Sequence, residues 1–278
     1  MRDDFDYESS YYKVISGTGF TTVEKDAFRM AAEKAYKKLD DSICGYRYRP
    51  NRKANSIEIF KFIGGFKGSS NNKKGFYFTL NQDLFVERYA GANMPVTLGV
   101  PMQNICQDKE LSSAQIATLP DENKVKTETF QNPLNSIPFV YLKLHGSWNW
   151  RSSVVKKRLV IGRDKLQQMN DEPLLKYYFE LFEKALLREN VKLFVIGYGF
   201  GDEHINKTIL KAIKSHGLKL YILDPSGPES FKERHGAMWD GVVGYFPYSI
   251  SEVFGEDTPN EKLKLIKESE SIPFLVEN

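Results

Sequence analysis

Cysteine, histidine and long apolar runs are scarce in this chain of 278 residues. Only two cysteines, Cys44 and Cys106, and four histidines are present, so a structural zinc site of four cysteines is excluded and no other metal-ligand spacing appears. No apolar run approaches the roughly 18 residues that cross a bilayer. The acidic N-terminus lacks the apolar stretch of a signal peptide. These absences predict a cytoplasmic protein with no metal site and no membrane partner.

The charge balance gives little support to nucleic-acid binding. The formal net charge is +3, from 39 basic and 36 acidic residues, and nucleic-acid binding proteins usually show a stronger basic bias or a concentrated patch. One segment, residues 46–53, does interleave aromatic and basic side chains that are suited to stacking on bases and contacting phosphates. A solvated basic loop is the favoured interpretation of this segment, and a nucleic-acid partner stays open.

Hydrophobic periodicity predicts helices first and strands later. Apolar residues at spacings of three and four indicate amphipathic helices at 22–43 and 56–66, so residues 1–70 are expected to be mainly helical. Short apolar runs from residue 75 onwards predict strands, and strands that alternate with helices imply parallel pairing. The predicted strands are 76–80, 139–144, 158–162, 191–197 and 218–223, and the predicted helices between and after them are 173–189, 203–215 and 258–269. We therefore expect a single α/β domain over 1–278, with a helical N-terminal segment and a Rossmann-like parallel sheet, covered by helices, over 75–250.

Polar side chains follow four of these strands. Ligands of parallel sheets bind beyond the carboxyl ends of the strands, so these residues are candidates for a site. The polar residues are Asn81 and Asp83 after strand 76–80, His145 after strand 139–144, Tyr198 and Asp202 after strand 191–197, and Asp224 after strand 218–223; Gly197 and Gly199 belong to the same segment as Tyr198.

Each candidate has a structural alternative. Asn81 suits either a ribose contact or the cap of the next helix. His145 suits either proton abstraction near neutral pH or a hydrogen-bonded core position. The glycines at 197 and 199 suit close backbone approach to a phosphate, while Asp202 suits a helix cap. Asp224 suits either a ribose hydroxyl or an Asp-Pro turn.

Three motifs in order carry a resemblance to a known family. Residues 79–83 read Thr-Leu-Asn-Gln-Asp, residues 143–147 read Lys-Leu-His-Gly-Ser, and residues 195–206 read Val-Ile-Gly-Tyr-Gly-Phe-Gly-Asp-Glu-His-Ile-Asn. Together they resemble the bacterial sirtuin-like family, in its antiphage-defence NAD hydrolase branch, over about residues 75–225.

The resemblance implies roles for the candidate residues. Asn81 would orient the nicotinamide ribose and a water, with Asp83 in support, and His145 would be the catalytic histidine. Gly197, Tyr198 and Gly199 would form the backbone loop beside the phosphates and ribose, with Asp202 in the same turn. Asp224 would lie near the adenosine end.

The resemblance also implies an activity and partners. NAD would be the substrate, and cleavage of its nicotinamide–ribose bond by water would give nicotinamide and ADP-ribose and deplete NAD in antiphage defence. The missing cysteines of the zinc lobe leave protein deacetylation a minor option. Homo-oligomers and a partner ATPase of the hexameric helicase type are expected by resemblance alone. The alternative function is a non-catalytic nucleotide-binding or scaffold module of a defence complex with such an ATPase.

The segment around Gly17 and Gly19 has two interpretations. The family usually opens with a strand and a Gly-Ala-Gly loop for the diphosphate, and the apolar run at 11–15 followed by these glycines fits that order. The same run also fits the end of a helix, with the glycines joining it to the next helix. The second interpretation is favoured because only two of the three fingerprint glycines are present.

Overall fold

The computed structural model describes residues 7–45, 54–68, 74–90, 96–98, 100, 105, 110–127, 137–152, 165–255 and 261–269. The chain forms two compact units, the first made of Met1–Tyr48 and Gly68–Phe179 and the second of Arg49–Lys67 and Glu180–Asn278. Two predicted features, the basic segment 46–53 and the strand 158–162, lie outside the described residues. Within the described ranges, no helix combines the length and apolar character needed to cross a membrane.

The described residues alternate between helices and short strands. The helices are α1 (Tyr7–Ser16), α2 (Thr22–Cys44), α3 (Ser56–Gly64), α4 (Phe85–Tyr89), α5 (Glu122–Val125), α6 (Lys165–Asn170), α7 (Pro173–Leu186), α8 (Glu203–His216), α9 (Pro228–Trp239), α10 (Ile250–Val253) and α11 (Glu261–Glu268). The strands are β1 (Gly75–Thr79), β2 (Val96–Thr97), β3 (Ala117–Thr118), β4 (Phe139–Lys143), β5 (Trp150–Arg151), β6 (Lys192–Ile196), β7 (Lys219–Leu223) and β8 (Val242–Phe246).

The first unit is built on a parallel sheet in the order β1-β4-β2. All five residues of β4 are buried, as expected for the central strand of a covered sheet, where side chains on both faces leave water. Tyr77 of β1 and Tyr141 of β4 stack with ring centroids 5.2 Å apart. A separate parallel ladder joins β3 to β5.

Helix α2 is fixed at its start and near its end. Thr21 and Glu24 form a capping box, in which each side chain accepts a hydrogen bond from the other residue's backbone N–H. Near the end, the Asp40 carboxylate accepts hydrogen bonds from Arg88 Nε at 2.7 Å and from Nη2 at 2.6 Å, with both side chains almost fully buried. This bidentate pair holds α2 against α4.

The second unit is built on a parallel sheet in the order β6-β7-β8. Helix α8 connects β6 to β7, and helix α9 connects β7 to β8. Gly217 ends α8 with a left-handed φ of 65°, which glycine adopts without steric cost. The core of this unit is a cluster of Phe62, Tyr221, Leu223, Val253, Phe254, Leu263 and Ile266. The predicted α/β fold, with parallel strands, connecting helices and a helical N-terminal segment, is confirmed.

Candidate active site

The carboxyl ends of β1 and β4 place Asn81 and His145 at equivalent positions. Thr79 pairs with Lys143 in the last register step of this parallel ladder, and each candidate lies two residues beyond its strand's member of that pair. Asn81 is exposed, whereas His145 is only 3% exposed. The first unit therefore brings these two predicted residues to the same end of neighbouring strands.

Backbone hydrogen bonds tie the two strand-end segments together. Leu144 N–H donates to the carbonyl of Thr79 at 2.9 Å, which extends the ladder by one step. Trp148 N–H donates to the carbonyl of Gln82 at 2.9 Å. Because these bonds lie on both sides of Asn81 and His145, they fix the two backbones that carry the candidate side chains.

Asp83 holds the start of helix α4. Its Oδ1 accepts a hydrogen bond from Phe85 N–H at 2.9 Å. Asn81 is not the cap of this helix, because Leu84 occupies the N-cap position and the side chain that accepts from the first helical N–H is that of Asp83. The capping alternative for Asn81 is therefore wrong, and its exposed side chain is left for another role.

A buried ion pair joins α4 to Lys143, the last residue of β4. Lys143 Nζ lies 3.0 Å from Glu87 Oε1, with the two side chains 0% and 9% exposed, and it also donates to the Asp83 carbonyl. Burial raises the pKa of Tyr77, and the negative charges of Asp83 and Glu87 raise it further. The only sequence signal for the role of Lys143 is that it is a charged residue at the end of an apolar run.

The second unit places the remaining candidates at the ends of β6 and β7. Gly197 has a φ of 62°, and Phe200, in the same turn, has a φ of 54°, which is uncommon for a side chain of this size. Phe200 is held there by ring contacts at 4.7 Å to Tyr198 and 4.9 Å to Phe231. A strained turn that is held by packing is typical of functional loops.

Hydrogen bonds of Tyr198 close the turn onto helix α8. The hydroxyl donates to Asn206 Oδ1 at 2.9 Å and accepts from Asp202 N–H at 3.2 Å. Asn206 Nδ2 in turn donates to the carbonyl of Phe200 at 2.7 Å. Asp202 occupies the N-cap position of α8, yet among the described residues its side chain accepts no capping hydrogen bond. The predicted capping role of Asp202 is therefore not fulfilled by its side chain.

The motif matches on both units agree with a comparison to known families. The SIR2-like domain family matches this chain over residues 75–240. The chain belongs to the SIR2-like family. No curated protein matches it significantly. Membership implies NAD-related activity and NAD binding. Among the described residues, no group of three or more histidine, cysteine, aspartate or glutamate side chains is placed to hold a metal ion.

The N-terminal glycines of this SIR2-like protein lie between two helices. Residues 11–15 belong to α1, and Gly17 and Gly19 form the loop that precedes α2. Gly17 N–H donates to the Lys13 carbonyl at 3.1 Å, and a Cβ on Gly17 would come within 2.4 Å of that oxygen. The helix–loop–helix interpretation is confirmed, and the order of strand and diphosphate loop is wrong for this segment.

Asp224 of the SIR2-like domain lies in a hydrogen-bonded turn. Its Oδ1 accepts from Ser226 N–H at 3.0 Å, and its Oδ2 accepts from Ser226 Oγ at 2.6 Å and Tyr245 OH at 3.1 Å. Burial raises the pKa of this carboxyl, but the hydrogen bonds outweigh burial, so the pKa lies below its ordinary value. The turn interpretation holds geometrically, and an adenosine contact stays a prediction.

The two glycines of the β6–α8 turn are expected to respond differently to alanine. Gly197→Ala should lower the free energy of unfolding by about 1–2 kcal/mol, because its φ of 62° is strained for a residue with a Cβ. A Cβ on Gly199 meets no described atom within 4 Å, so Gly199→Ala should stay within about 0.5 kcal/mol of the parent. Urea denaturation measures both.

Gly199→Ala serves as the stability control and also tests phosphate approach. If the backbone at this position contacts a phosphate, the added methyl group weakens NAD binding although stability is unchanged. Equal losses of stability in the two variants would contradict the backbone argument.

Proposed function

We propose that this SIR2-like protein is an NAD hydrolase that cleaves the nicotinamide–ribose bond with water as acceptor. The observation that carries the proposal is the pairing of Asn81 and His145 at equivalent ends of neighbouring parallel strands, on segments joined by backbone hydrogen bonds. Family membership supports NAD as the substrate. The finer activity is our inference from this arrangement.

Cleavage of the nicotinamide–ribose bond by water requires a correctly positioned ribose and one proton acceptor. The C1′–N bond breaks, its electron pair leaves with nicotinamide, and the ribose passes through an oxocarbenium-like state. The oxygen of water then bonds to C1′, and the proton that it loses passes to the imidazole of His145. The products are nicotinamide, ADP-ribose and one proton.

Asn81 and His145 suit different parts of this reaction. The exposed amide of Asn81 has both a donor and an acceptor, which suits a ribose hydroxyl and the attacking water. His145 is 3% exposed at the end of β4, on a backbone segment that hydrogen-bonds to the strand-end segment of β1. Asp83 has a supporting role, because its carboxylate accepts the hydrogen bond that fixes the start of α4.

In the second unit, we propose that the turn from Gly197 to Asp202 is a phosphate-binding element. Its glycines permit close backbone approach, and it leads into the N-terminus of the 14-residue helix α8, the end of a helix dipole that favours anions. Asp224 is proposed for the adenosine end, where Tyr245 and Ser226 hold its carboxylate in place.

The identity of the products tests whether water is the acceptor of the ADP-ribosyl group. The purified chain is incubated with NAD, with and without an acetyl-lysine peptide, and the products are separated by chromatography and weighed by mass spectrometry. We expect nicotinamide and ADP-ribose in equal amounts, unchanged by the peptide. Formation of an acetylated ADP-ribose with loss of the peptide's acetyl group would contradict water as the acceptor.

A non-catalytic nucleotide-binding module is the second candidate, and the helix–loop–helix at Gly17 and Gly19 favours it. In this candidate function, NAD or ADP-ribose would bind without turnover. Calorimetry that shows binding, combined with no nicotinamide release in any assembly state, would support this candidate over hydrolysis.

The biological setting is proposed from resemblance. NAD depletion in antiphage defence, homo-oligomers and a hexameric helicase-type ATPase partner follow from the sirtuin-like motifs. Size measurement of the purified chain, alone and with a co-expressed ATPase, tests the assembly.

A further inference from the structure

Helix α2 and the residue position just before it carry a concentration of exposed apolar side chains. Among the described residues, nine large hydrophobic side chains are exposed, and four of them lie within residues 20–39. Scattered exposed hydrophobic side chains are ordinary, whereas a cluster marks a surface that another molecule covers. The four are Phe20, Val23, Met30 and Leu39, which are 36%, 77%, 69% and 44% exposed.

The outward face of α2 is centred on Ala31. Residues four, seven and eight positions away share a face of an α-helix, and on both sides of Ala31 these positions are exposed. Asp40 is nine positions from Ala31, so it lies on the opposite side of the helix, where it is buried and paired with Arg88. The outward positions before Ala31 are Val23, Glu24 and Ala27, and those after it are Ala35, Lys38 and Leu39.

The charges of this face complement one another when two copies of α2 run antiparallel. If a second copy crosses the first at Ala31, Glu24 of each copy faces Lys38 of the other, because both lie seven positions from the centre. Lys34 then faces the half-buried ring of Phe28, and an aromatic face attracts a cation. A parallel pair would place each of these charges opposite its like, which is repulsive. The charge pattern therefore selects an antiparallel partner.

The apolar positions of the face match in the same antiparallel register. Val23 faces Leu39, since both lie eight positions from Ala31, and Ala27 faces Ala35, since both lie four positions from it. The larger side chains therefore meet towards the two ends of the contact, and small side chains at its centre let the helix axes approach closely. One surface patch that fits itself in this way is what a twofold axis between identical chains requires.

Glu24 and Lys38 are available for such a contact. Neither forms an ion pair within the part of the chain that the structure describes, and both are exposed. Glu24 Oε2 accepts the capping hydrogen bond of Thr21 N–H at 2.8 Å, which holds the carboxylate at the start of α2. The ion pairs that α2 forms with described residues use other side chains, in Arg29–Asp26, Lys37–Glu110 and Asp40–Arg88.

We propose that α2 forms a twofold interface with α2 of a second copy of this chain, antiparallel and centred on Ala31. This interface deepens the proposed function, because it rests on the homo-oligomer proposed there and names the surface that forms it. It does not depend on any step of NAD cleavage.

Sedimentation velocity of the purified full chain, without NAD and over a range of concentrations, tests the interface. We expect the parent to have the mass of two copies or of a larger even number. Ala31→Glu brings two carboxylates together at the axis and should lower the mass to half or less. Lys38→Glu places like charges opposite each other at two symmetry-related positions and should raise the dissociation constant by about tenfold.

A charge swap gives the sharpest comparison. Glu24→Lys combined with Lys38→Glu restores two pairs of opposite charge in the antiparallel register, so the dissociation constant should return to within about threefold of the parent. Lys211→Glu is the matched control, because it makes the same charge change at an exposed lysine within α8, and it should leave the mass unchanged. Thermal melts show that each variant is folded, including the charge swap, which loses the capping box.

The outcomes separate the interface from the other proposals. An assembly that persists in folded Ala31→Glu would overturn the α2 interface and leave the homo-oligomer standing on another surface. A parent that is monomeric at every concentration would overturn both, even if α2 then binds a co-expressed ATPase. A charge swap that associates no better than Lys38→Glu would contradict the antiparallel register. Nicotinamide release, measured separately, decides NAD hydrolysis in each case.

Discussion

Replacing His145 with alanine is expected to slow nicotinamide release from NAD by about 10² to 10⁴-fold, the contribution of a well-placed general base. The imidazole is 3% exposed at the end of β4, at the position equivalent to Asn81 on β1. Its removal takes away the proposed acceptor for the proton of water, while the proposed ribose contacts of Asn81 remain. We therefore expect kcat to fall much more than KM rises.

His216→Ala is the matched control for this variant. His216 is the last residue of α8, a position with no role in the proposed chemistry, and its removal should leave nicotinamide release within about twofold of the parent. Thermal melts establish that both variants are folded. A folded His145→Ala variant that releases nicotinamide at the parent's rate would contradict the catalytic role.

Replacing Lys143 with methionine is expected to lower the free energy of unfolding by about 3–5 kcal/mol, the cost of leaving one partner of a buried ion pair without its counter-charge. The Glu87 side chain is only 9% exposed, so water does not replace the lost ammonium. The variant also loses the hydrogen bond to the Asp83 carbonyl, which anchors the segment between Asn81 and α4. Urea denaturation at neutral pH measures the change.

Two further variants separate charge from packing at this pair. Lys207→Met removes an exposed partner of Glu203, with both side chains more than 70% exposed, and should cost at most about 0.5 kcal/mol. The double variant Lys143→Met, Glu87→Gln should recover part of the loss, because no uncompensated charge stays buried. A double variant less stable than Lys143→Met alone would contradict the electrostatic explanation.

Local sequence patterns predicted the secondary structure where one physical signal dominates. Thr21 and Glu24 form a capping box through contacts only three residues apart, so the start of α2 could be read from the sequence. The apolar run of β4 has no helical periodicity and packs as a buried strand. The apolar run at 11–15 is too short for its sequence to distinguish a helix from a strand. In the structure it belongs to helix α1.

The candidate site was predictable in outline because parallel strands end at the same edge of a sheet. That rule alone places Asn81 and His145 side by side. It does not give the opposite exposure of the two side chains, or the engagement of Asp83 at α4. The pairing of Lys143 with Glu87 spans 56 residues of sequence. Such features arise from long-range contacts that no local pattern encodes.

Nicotinamide release from NAD by the purified chain, with its oligomeric state recorded, is the most direct test of NAD hydrolysis. The arrangement of Asn81 and His145 predicts steady release in at least one assembly state, with ADP-ribose formed in equal amount. An absence of release in every assembly state, from a folded chain that binds NAD, would contradict hydrolysis and leave a nucleotide-binding module in its place.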